Sequence, residues 1–249
     1  MIRNLHTHTL FCDGENSAEE LVLKAIELSI SELGFSGHSY TFFDESYCMS
    51  KQKTVEYKQD IRRLKEKYNG KIKILLGIEQ DYYSNEPTDD YDYVIGSVHY
   101  VKKGEVYIPI DESKEILENA VKTYYNGDIY ALIEDYYLCV SDIFNKTKCD
   151  IIGHFDLISK FNENNALFDE NNERYICAVD NALEKLFESD AVFEVNTGGM
   201  ARGYKKTPYP SQRIIEKIKN RKKKLLFSSD CHNKEQLLYG FDLVEKLID

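Results

Sequence analysis

The sequence lacks several features that define other classes of protein. Its 249 residues contain no tryptophan and only four prolines, and no proline lies in a Pro-, Gly- or Ser-rich stretch. No apolar run approaches the length of a membrane span, and the residues before His6 leave no room for a secretory signal. No internal repeat or linker is evident. We therefore expect one domain over residues 1–249, located in the cytoplasm and not bound to a membrane.

Positive charge is also scarce. Lysine and arginine number 32 against 43 aspartates and glutamates, which gives a formal net charge of −11. Nucleic acids and anionic membranes select for basic surfaces, so neither is an expected partner. A small anionic substrate stays compatible with this charge, because bound metal cations would reverse its sign locally. The sequence leaves the oligomeric state open.

The cysteines do not form a disulfide or zinc pattern. There are six of them, none in a C-x-x-C spacing, so we interpret them as reduced thiols.

Short apolar runs alternate with segments of helical periodicity. Strands are predicted at about 2–5, 35–38, 71–79, 91–99, 150–154, 191–196 and 224–230. The first helix is predicted to begin with a capping box of Ser17 and Glu20, to extend toward Leu33 and to end at Gly34. Further helices are expected at about 54–68, 112–126, 128–146, 171–188 and 211–220 and at the C-terminus. This alternation predicts a parallel α/β architecture.

Polar side chains occur where the predicted strands end. They are His6 and His8, His38, Glu79, His99, His154, Asn196, and Asp230 and His232, and Asp13 follows the first of them. In a (β/α) barrel the carboxyl ends of all strands open on one face, so these residues would converge on one pocket. Residues at i and i+2 of a strand share a face, so His6 pairs with His8 and Asp230 with His232. Cys231 then points away and is expected to pack in the core.

These side chains are typical metal ligands. Any single histidine is more often a hydrogen-bonded core or surface residue than a ligand. However, all six histidines of the chain lie at strand ends, beside three carboxylates. Nine candidate ligands exceed what one ion accepts, so we expect two or three divalent cations, of Zn²⁺, Mn²⁺ or Fe²⁺. Such a cluster generates hydroxide near neutral pH and suits displacement at phosphorus.

In order along the chain, these motifs resemble the PHP (polymerase and histidinol phosphatase) superfamily. The resemblance rests on segments from His6-Thr7-His8 through Gly96-Ser97-Val98-His99 and Glu194-Val195-Asn196-Thr197 to Ser229-Asp230-Cys231-His232. Within the superfamily the chain is similar to the monofunctional histidinol-phosphate phosphatases. The resemblance implies a distorted (β/α)₇ barrel with a metal cluster at the C-terminal ends of the strands.

The resemblance also implies roles for individual residues. His6, His8, Glu79 and Asp230 would hold one ion, Glu79 would bridge to a second with His99 and His154, and Asp13, His38 and His232 would hold the third. Arg202 would contact substrate phosphate after a flexible turn at 196–199, with Lys160 as a second basic group. Among the ligands, Glu79, Asp230 and His232 are the expected catalytic residues.

The expected reaction is hydrolysis of L-histidinol phosphate, in histidine biosynthesis, by a hydroxide that bridges the ions. The general acid is left open between a cluster histidine and a metal-bound water. The alternatives are another PHP activity (a 3′–5′ exonuclease, a nucleotide phosphoesterase or a protein-tyrosine phosphatase) or a metal-loaded sensor without catalysis. If the chain hydrolyses L-histidinol phosphate, its expected partner is a small phosphorylated metabolite.

Overall fold

The computed structural model describes residues 2–248 and contains one sheet of seven parallel strands. In chain order the strands are β1 (Arg3–Asn4), β2 (Glu32–Phe35), β3 (Lys73–Asp81), β4 (Tyr93–Ser97), β5 (Tyr100–Lys103), β6 (Val106–Pro109), β7 (Ile151–Ile152), β8 (Val192–Asn196) and β9 (Leu225–Ser228). The sheet order is β1-β2-β3-β4-β7-β8-β9, while β5 and β6 form a separate antiparallel hairpin. The predicted α/β class with seven parallel strands is confirmed.

Helices connect these strands. They are α1 (Ala18–Glu27), α2 (Lys51–Lys67), α3 (Lys114–Tyr124), α4 (Ile129–Thr147), α5 (Glu173–Leu186), α6 (Gly198–Ala201), α7 (Gln212–Asn220) and α8 (Phe241–Ile248). The predicted capping box of α1 is present, since the Glu20 amide donates to Ser17 Oγ and the Ser17 amide donates to the Glu20 carboxylate. No helix among residues 2–248 is long and apolar enough to cross a membrane.

The ring of strands closes next to the first histidine motif. Thr7 and Cys231 form a parallel bridge just beyond the carboxyl ends of β1 and β9. The amide of His8 donates to the carbonyl of Cys231 at 2.8 Å, and the amide of Cys231 donates to the carbonyl of His6 at 3.1 Å. The backbone contact that closes the distorted barrel therefore also brings two sets of polar side chains together.

The prediction for the first helix was wrong at its C-terminal end. The helix ends at Glu27, and Ser29 adopts a positive φ of 57° that turns the chain into β2. Gly34 lies inside β2 and does not cap the helix. Its missing side chain makes room for Tyr93, because a Cβ atom at residue 34 would lie 2.3 Å from Tyr93 Oη. The second strand accordingly spans Glu32–Phe35 and not 35–38.

Two other features differ from the expectations. The β5–β6 hairpin was not predicted, although Gly104, at a positive φ of 60°, forms its turn. The segment expected to be a flexible turn contains the short helix α6.

Tyr93 crosses the interior of the barrel below the polar face. It belongs to a small apolar cluster with Leu5, Ile95, Ile151 and Leu226, while a larger cluster packs the helices onto the strands. Its hydroxyl donates to the carbonyl of Leu5 at 2.5 Å. One buried side chain thereby ties β4 to the segment that carries the first histidines.

We expect Tyr93→Phe to lower the free energy of unfolding by about 1–3 kcal/mol, because the buried carbonyl loses its donor. Urea unfolding followed by circular dichroism measures the change. Tyr124→Phe is the matched control, since Tyr124 is exposed, and it should leave the midpoint unchanged. Equal midpoints for the two variants would contradict the role of the Tyr93 hydroxyl.

Candidate metal centre

The nine predicted ligands all lie at one end of the barrel. Glu79 lies within β3, and the others follow the carboxyl ends of β1, β2, β4, β7 and β9; they are His6, His8, Asp13, His38, His99, His154, Asp230 and His232. Every one of them belongs to at least one group of three or four side chains whose ligand atoms lie within 4.8 Å of one another. The convergence predicted from the strand ends is therefore observed.

Glu79 is at the centre of this arrangement. Its Oε2 atom lies 2.9 Å from His38 Nδ1 and 3.2 Å from His6 Nε2. Its Oε1 atom lies 2.9 Å from His154 Nε2 and 3.4 Å from His99 Nε2. Because the two carboxylate oxygens face different imidazoles, the side chain could serve two cation sites.

Two further carboxylates, Asp230 and Asp13, lie close to imidazoles of the cluster. Asp230 Oδ1 lies 3.1 Å from His8 Nε2 and 3.6 Å from His6 Nε2. Asp13 Oδ2 lies 3.2 Å from His232 Nε2, and the rings of His8 and His232 stack with centroids 4.1 Å apart. His8 therefore adjoins both groups, whereas the resemblance placed it only at the ion held with His6, Glu79 and Asp230.

The pKa values of the ligand side chains are shifted in different directions by their surroundings. Burial opposes the ionisation of Glu79, but the imidazoles of His38, His6 and His99 hold the pKa of its carboxyl well below the usual value. Burial also opposes the protonation of His6, yet the carboxylates of Glu194 and Glu79 raise its pKa well above the usual value. Burial, together with the neighbouring His232 and His38, lowers the pKa of His8 to about 3, so its imidazole is neutral and can act as a ligand.

The residues present fit divalent cations. His6 Nε2, His8 Nε2 and Glu79 Oε2 are buried and have no hydrogen-bond partner among the described residues. Such atoms are costly to bury unless something compensates them. The donor set of imidazoles and carboxylates suits Zn²⁺ or a similar transition metal. Cys231 is outside the set, because it packs in the core and its thiol donates to the carbonyl of Asn233.

Two carboxylates that contact the predicted ligands were not predicted to belong to the site. Glu194, on β8, is buried, and its Oε1 lies 2.5 Å from His6 Nδ1 while its Oε2 accepts from the His154 amide at 2.7 Å. Asp81 lies 3.3 Å from His99 Nδ1. Such partners orient ligand imidazoles. A charged residue in the apolar run of β8 was the available signal for Glu194. Asn196, noted at the same strand end, donates to Glu194 at 3.1 Å, and within residues 2–248 it has no hydrogen bond to any of the nine ligands.

The two predicted phosphate contacts lie beside the cluster. Arg202 Nη2 donates to Asp230 Oδ2 at 2.9 Å, and Nη1 donates to His232 Nδ1 at 2.9 Å. Burial opposes the charge on Arg202, but the Asp230 carboxylate raises the pKa of the guanidinium further. Lys160 Nζ donates to the carbonyl of Asp111 at 2.7 Å and to its carboxylate at 3.1 Å. Arg202 and Lys160 line the same cavity of about 310 Å³ as Glu79 and His154.

We expect Glu194→Gln to weaken Zn²⁺ affinity roughly 10- to 100-fold, because an amide orients the His6 imidazole less firmly than a carboxylate does. Competition with a chelating dye measures the affinity. Glu66→Gln, on the exposed face of α2, is the control and should bind as the parent chain does. An unchanged affinity in Glu194→Gln, with the fold intact by circular dichroism, would remove Glu194 from the site.

The chain is similar to known proteins in both sequence and fold. A probable histidinol-phosphatase of Schizosaccharomyces pombe is 28% identical over 265 residues, which cover 98% of this chain and 85% of that protein. The crystal structure of a candidate histidinol phosphatase from Listeria monocytogenes superposes with a TM-score of 0.84 at 24% identity, covering 97% of this chain and 99% of that one. A Lactococcus lactis histidinol phosphate phosphatase, crystallised with zinc, L-histidinol and phosphate, superposes with a TM-score of 0.72 at 19% identity, covering 99% and 92%.

The family assignment rests on a direct match. The family model of the PHP domain matches residues 4–198, which contain seven of the nine predicted ligands and exclude Asp230 and His232. The match covers most of the chain and agrees with the resemblance drawn from the motifs. The chain belongs to the PHP domain family.

Proposed function

We propose that this chain is a metal-dependent phosphomonoesterase that hydrolyses L-histidinol phosphate to L-histidinol and phosphate. The observation that carries the proposal is the shared cavity, in which Glu79, Asp230 and four of the imidazoles adjoin the guanidinium of Arg202. A cluster of cation ligands beside a permanently charged arginine suits an anionic, phosphorylated substrate.

The identity of the organic half is supported by the relatives. The S. pombe protein is named as a probable histidinol-phosphatase and the L. monocytogenes protein as a candidate one. The L. lactis enzyme was crystallised with L-histidinol and phosphate. This reaction would give the chain a role in histidine biosynthesis. Its partner would then be a small metabolite and not a nucleic acid. A location in the cytoplasm and a single domain over residues 1–249 belong to the same proposal.

The nine ligands would hold two or three ions. The contacts support His6, His8 and Asp230 at one position, Glu79 with His99 and His154 at a second, and Asp13, His38 and His232 at a third. Zinc is supported by the L. lactis complex, and the same donors would accept Mn²⁺ or Fe²⁺. When bound, such ions lower the pKa of coordinated water and neutralise charge on a phosphoryl group.

The chain itself contributes charge and orientation. Arg202 presents its guanidinium to the cavity while Asp230 fixes its position, so it can hold a phosphoryl oxygen without reorganising. Its Nε atom is buried and has no partner within the described residues. Glu194 and Asp81 fix the rings of His6 and His99 through the nitrogens that face away from Glu79. Glu79, Asp230 and His232 are the ligands that we assign to the catalytic step.

A substrate panel tests this function. Protein loaded with Zn²⁺ should release phosphate from L-histidinol phosphate and should turn over neither single-stranded DNA nor nucleoside monophosphates at a comparable rate. Degradation of single-stranded DNA in preference to the ester would favour an exonuclease. A metal-loaded protein that hydrolyses no phosphomonoester would favour a binding or sensor role and would overturn the proposal.

We expect Arg202→Ala to lower kcat/KM for L-histidinol phosphate by roughly 10²- to 10³-fold, because a charge aimed at the phosphoryl oxygens is lost. Steady-state kinetics measures the effect, and elemental analysis should find the bound metal retained. Arg174→Ala is the control, since Arg174 is likewise paired with carboxylates, those of Asp128 and Glu134, but is exposed. Unchanged kinetics in Arg202→Ala would exclude the residue from phosphate recognition.

A further inference from the structure

The cavity above the ligands has more carboxylates than the ions require. Besides the three ligand carboxylates, Asp44, Asp111 and Glu112 line it, against the two basic side chains of Lys160 and Arg202. An excess of negative charge is unexpected in a site for a phosphate ester, because like charges repel a dianion at close range. This excess therefore needs an explanation in terms of what else enters the cavity.

Two of the three additional carboxylates have protein partners. Asp44 Oδ2 accepts a hydrogen bond from the Tyr100 hydroxyl at 2.6 Å, and its Oδ1 accepts one from the Ser46 hydroxyl at 2.7 Å. Asp111 pairs with Lys160 Nζ at 3.1 Å. These contacts hold the loop after β2 and the segment after β6 against the cavity. They give both carboxylates hydrogen-bond donors, and Lys160 also compensates the charge of Asp111.

Glu112 differs from them. It is exposed at the rim of the cavity, and within residues 2–248 its carboxylate has no hydrogen bond or ion pair. The same cavity is lined by Glu79, His154 and Asp230, buried members of the nine predicted ligands, which form what we call its floor. A ligand that reaches from floor to rim therefore meets cation sites and Arg202 at one end and a free carboxylate at the other.

Three aromatic rings also line the cavity. The rings of Tyr47, Tyr100 and Tyr204 line the cavity, and Tyr47 packs edge-on against His38 with ring centroids 4.9 Å apart. Aromatic faces attract cations and planar rings. The combination of tyrosine faces with an uncompensated carboxylate at the rim suits an organic group that carries positive charge.

We infer that Glu112 binds a cationic group on the organic half of the substrate and makes the site selective for phosphate esters of amino alcohols over neutral esters. Asp111 is paired with Lys160, and this contact fixes the segment that carries Glu112. This inference rests on the proposed phosphatase function and adds a specificity-determining residue to it. Glu112 acts on substrate preference and contacts none of the reacting atoms.

The test compares two esters of equal length, O-phosphoethanolamine and n-propyl phosphate, which differ only in that an ammonium group replaces a methyl group. The Zn²⁺-loaded parent chain should show a higher kcat/KM for the cationic ester. In Glu112→Gln the ratio of the two kcat/KM values should fall roughly three- to tenfold, as expected for one partly solvated charge pair. Glu112→Lys should lower the ratio further. Glu105→Gln, in the solvent-exposed turn of the β5–β6 hairpin, is the control and should leave it unchanged.

Binding provides a readout that is independent of turnover. Calorimetric titration with L-histidinol should give a Kd that rises by a similar factor in Glu112→Gln and stays constant in Glu105→Gln. Unchanged ratios and an unchanged Kd in Glu112→Gln would overturn the inference while leaving the phosphatase function intact. Failure of the parent chain to hydrolyse any phosphomonoester would instead overturn the proposed function and this inference together.

Discussion

The structure depends on the burial of a carboxylate, Glu79, among imidazoles. Its side chain is about 1% exposed, and five histidines have a ring nitrogen no more than 3.5 Å from one of its two oxygens. An isolated ionised carboxyl is very costly to remove from water, so it needs positive charge close by. Protonated histidines supply part of this charge, but His8 is held neutral by burial and by its neighbours. Divalent cations would compensate the carboxylates and the unpartnered nitrogens together.

The barrel topology makes this burial possible. Parallel strands place their carboxyl ends on one face, and the Thr7–Cys231 bridge closes the ring where the two i, i+2 pairs lie. Closing the barrel and assembling the site are therefore the same structural event. The chain brings His6 close to Asp230, more than two hundred residues away, because the backbone bridge between Thr7 and Cys231 lies directly beside both residues.

Much of the fold and the ligand set could be predicted from local patterns. Alternating apolar runs and helical periodicity predict the strands, and polar residues at strand ends predict convergence because a parallel barrel has only one carboxyl face. The role of Gly34 could not be predicted locally, since it depends on Tyr93, a residue of another strand. Contacts such as Glu194 with His6 likewise form only in three dimensions. The β5–β6 hairpin did have a local signal, the turn at Gly104, which the strand–helix pattern obscured.

Anomalous X-ray diffraction from crystals of the Zn²⁺-loaded protein tests the central claim most directly. The account predicts two or three anomalous peaks at the carboxyl ends of the strands, each about 2.0–2.2 Å from nitrogen or oxygen atoms of the nine ligands, with Glu79 shared between two of them. Peaks confined to the outer surface, with His38 and His154 still in direct contact with Glu79, would contradict it.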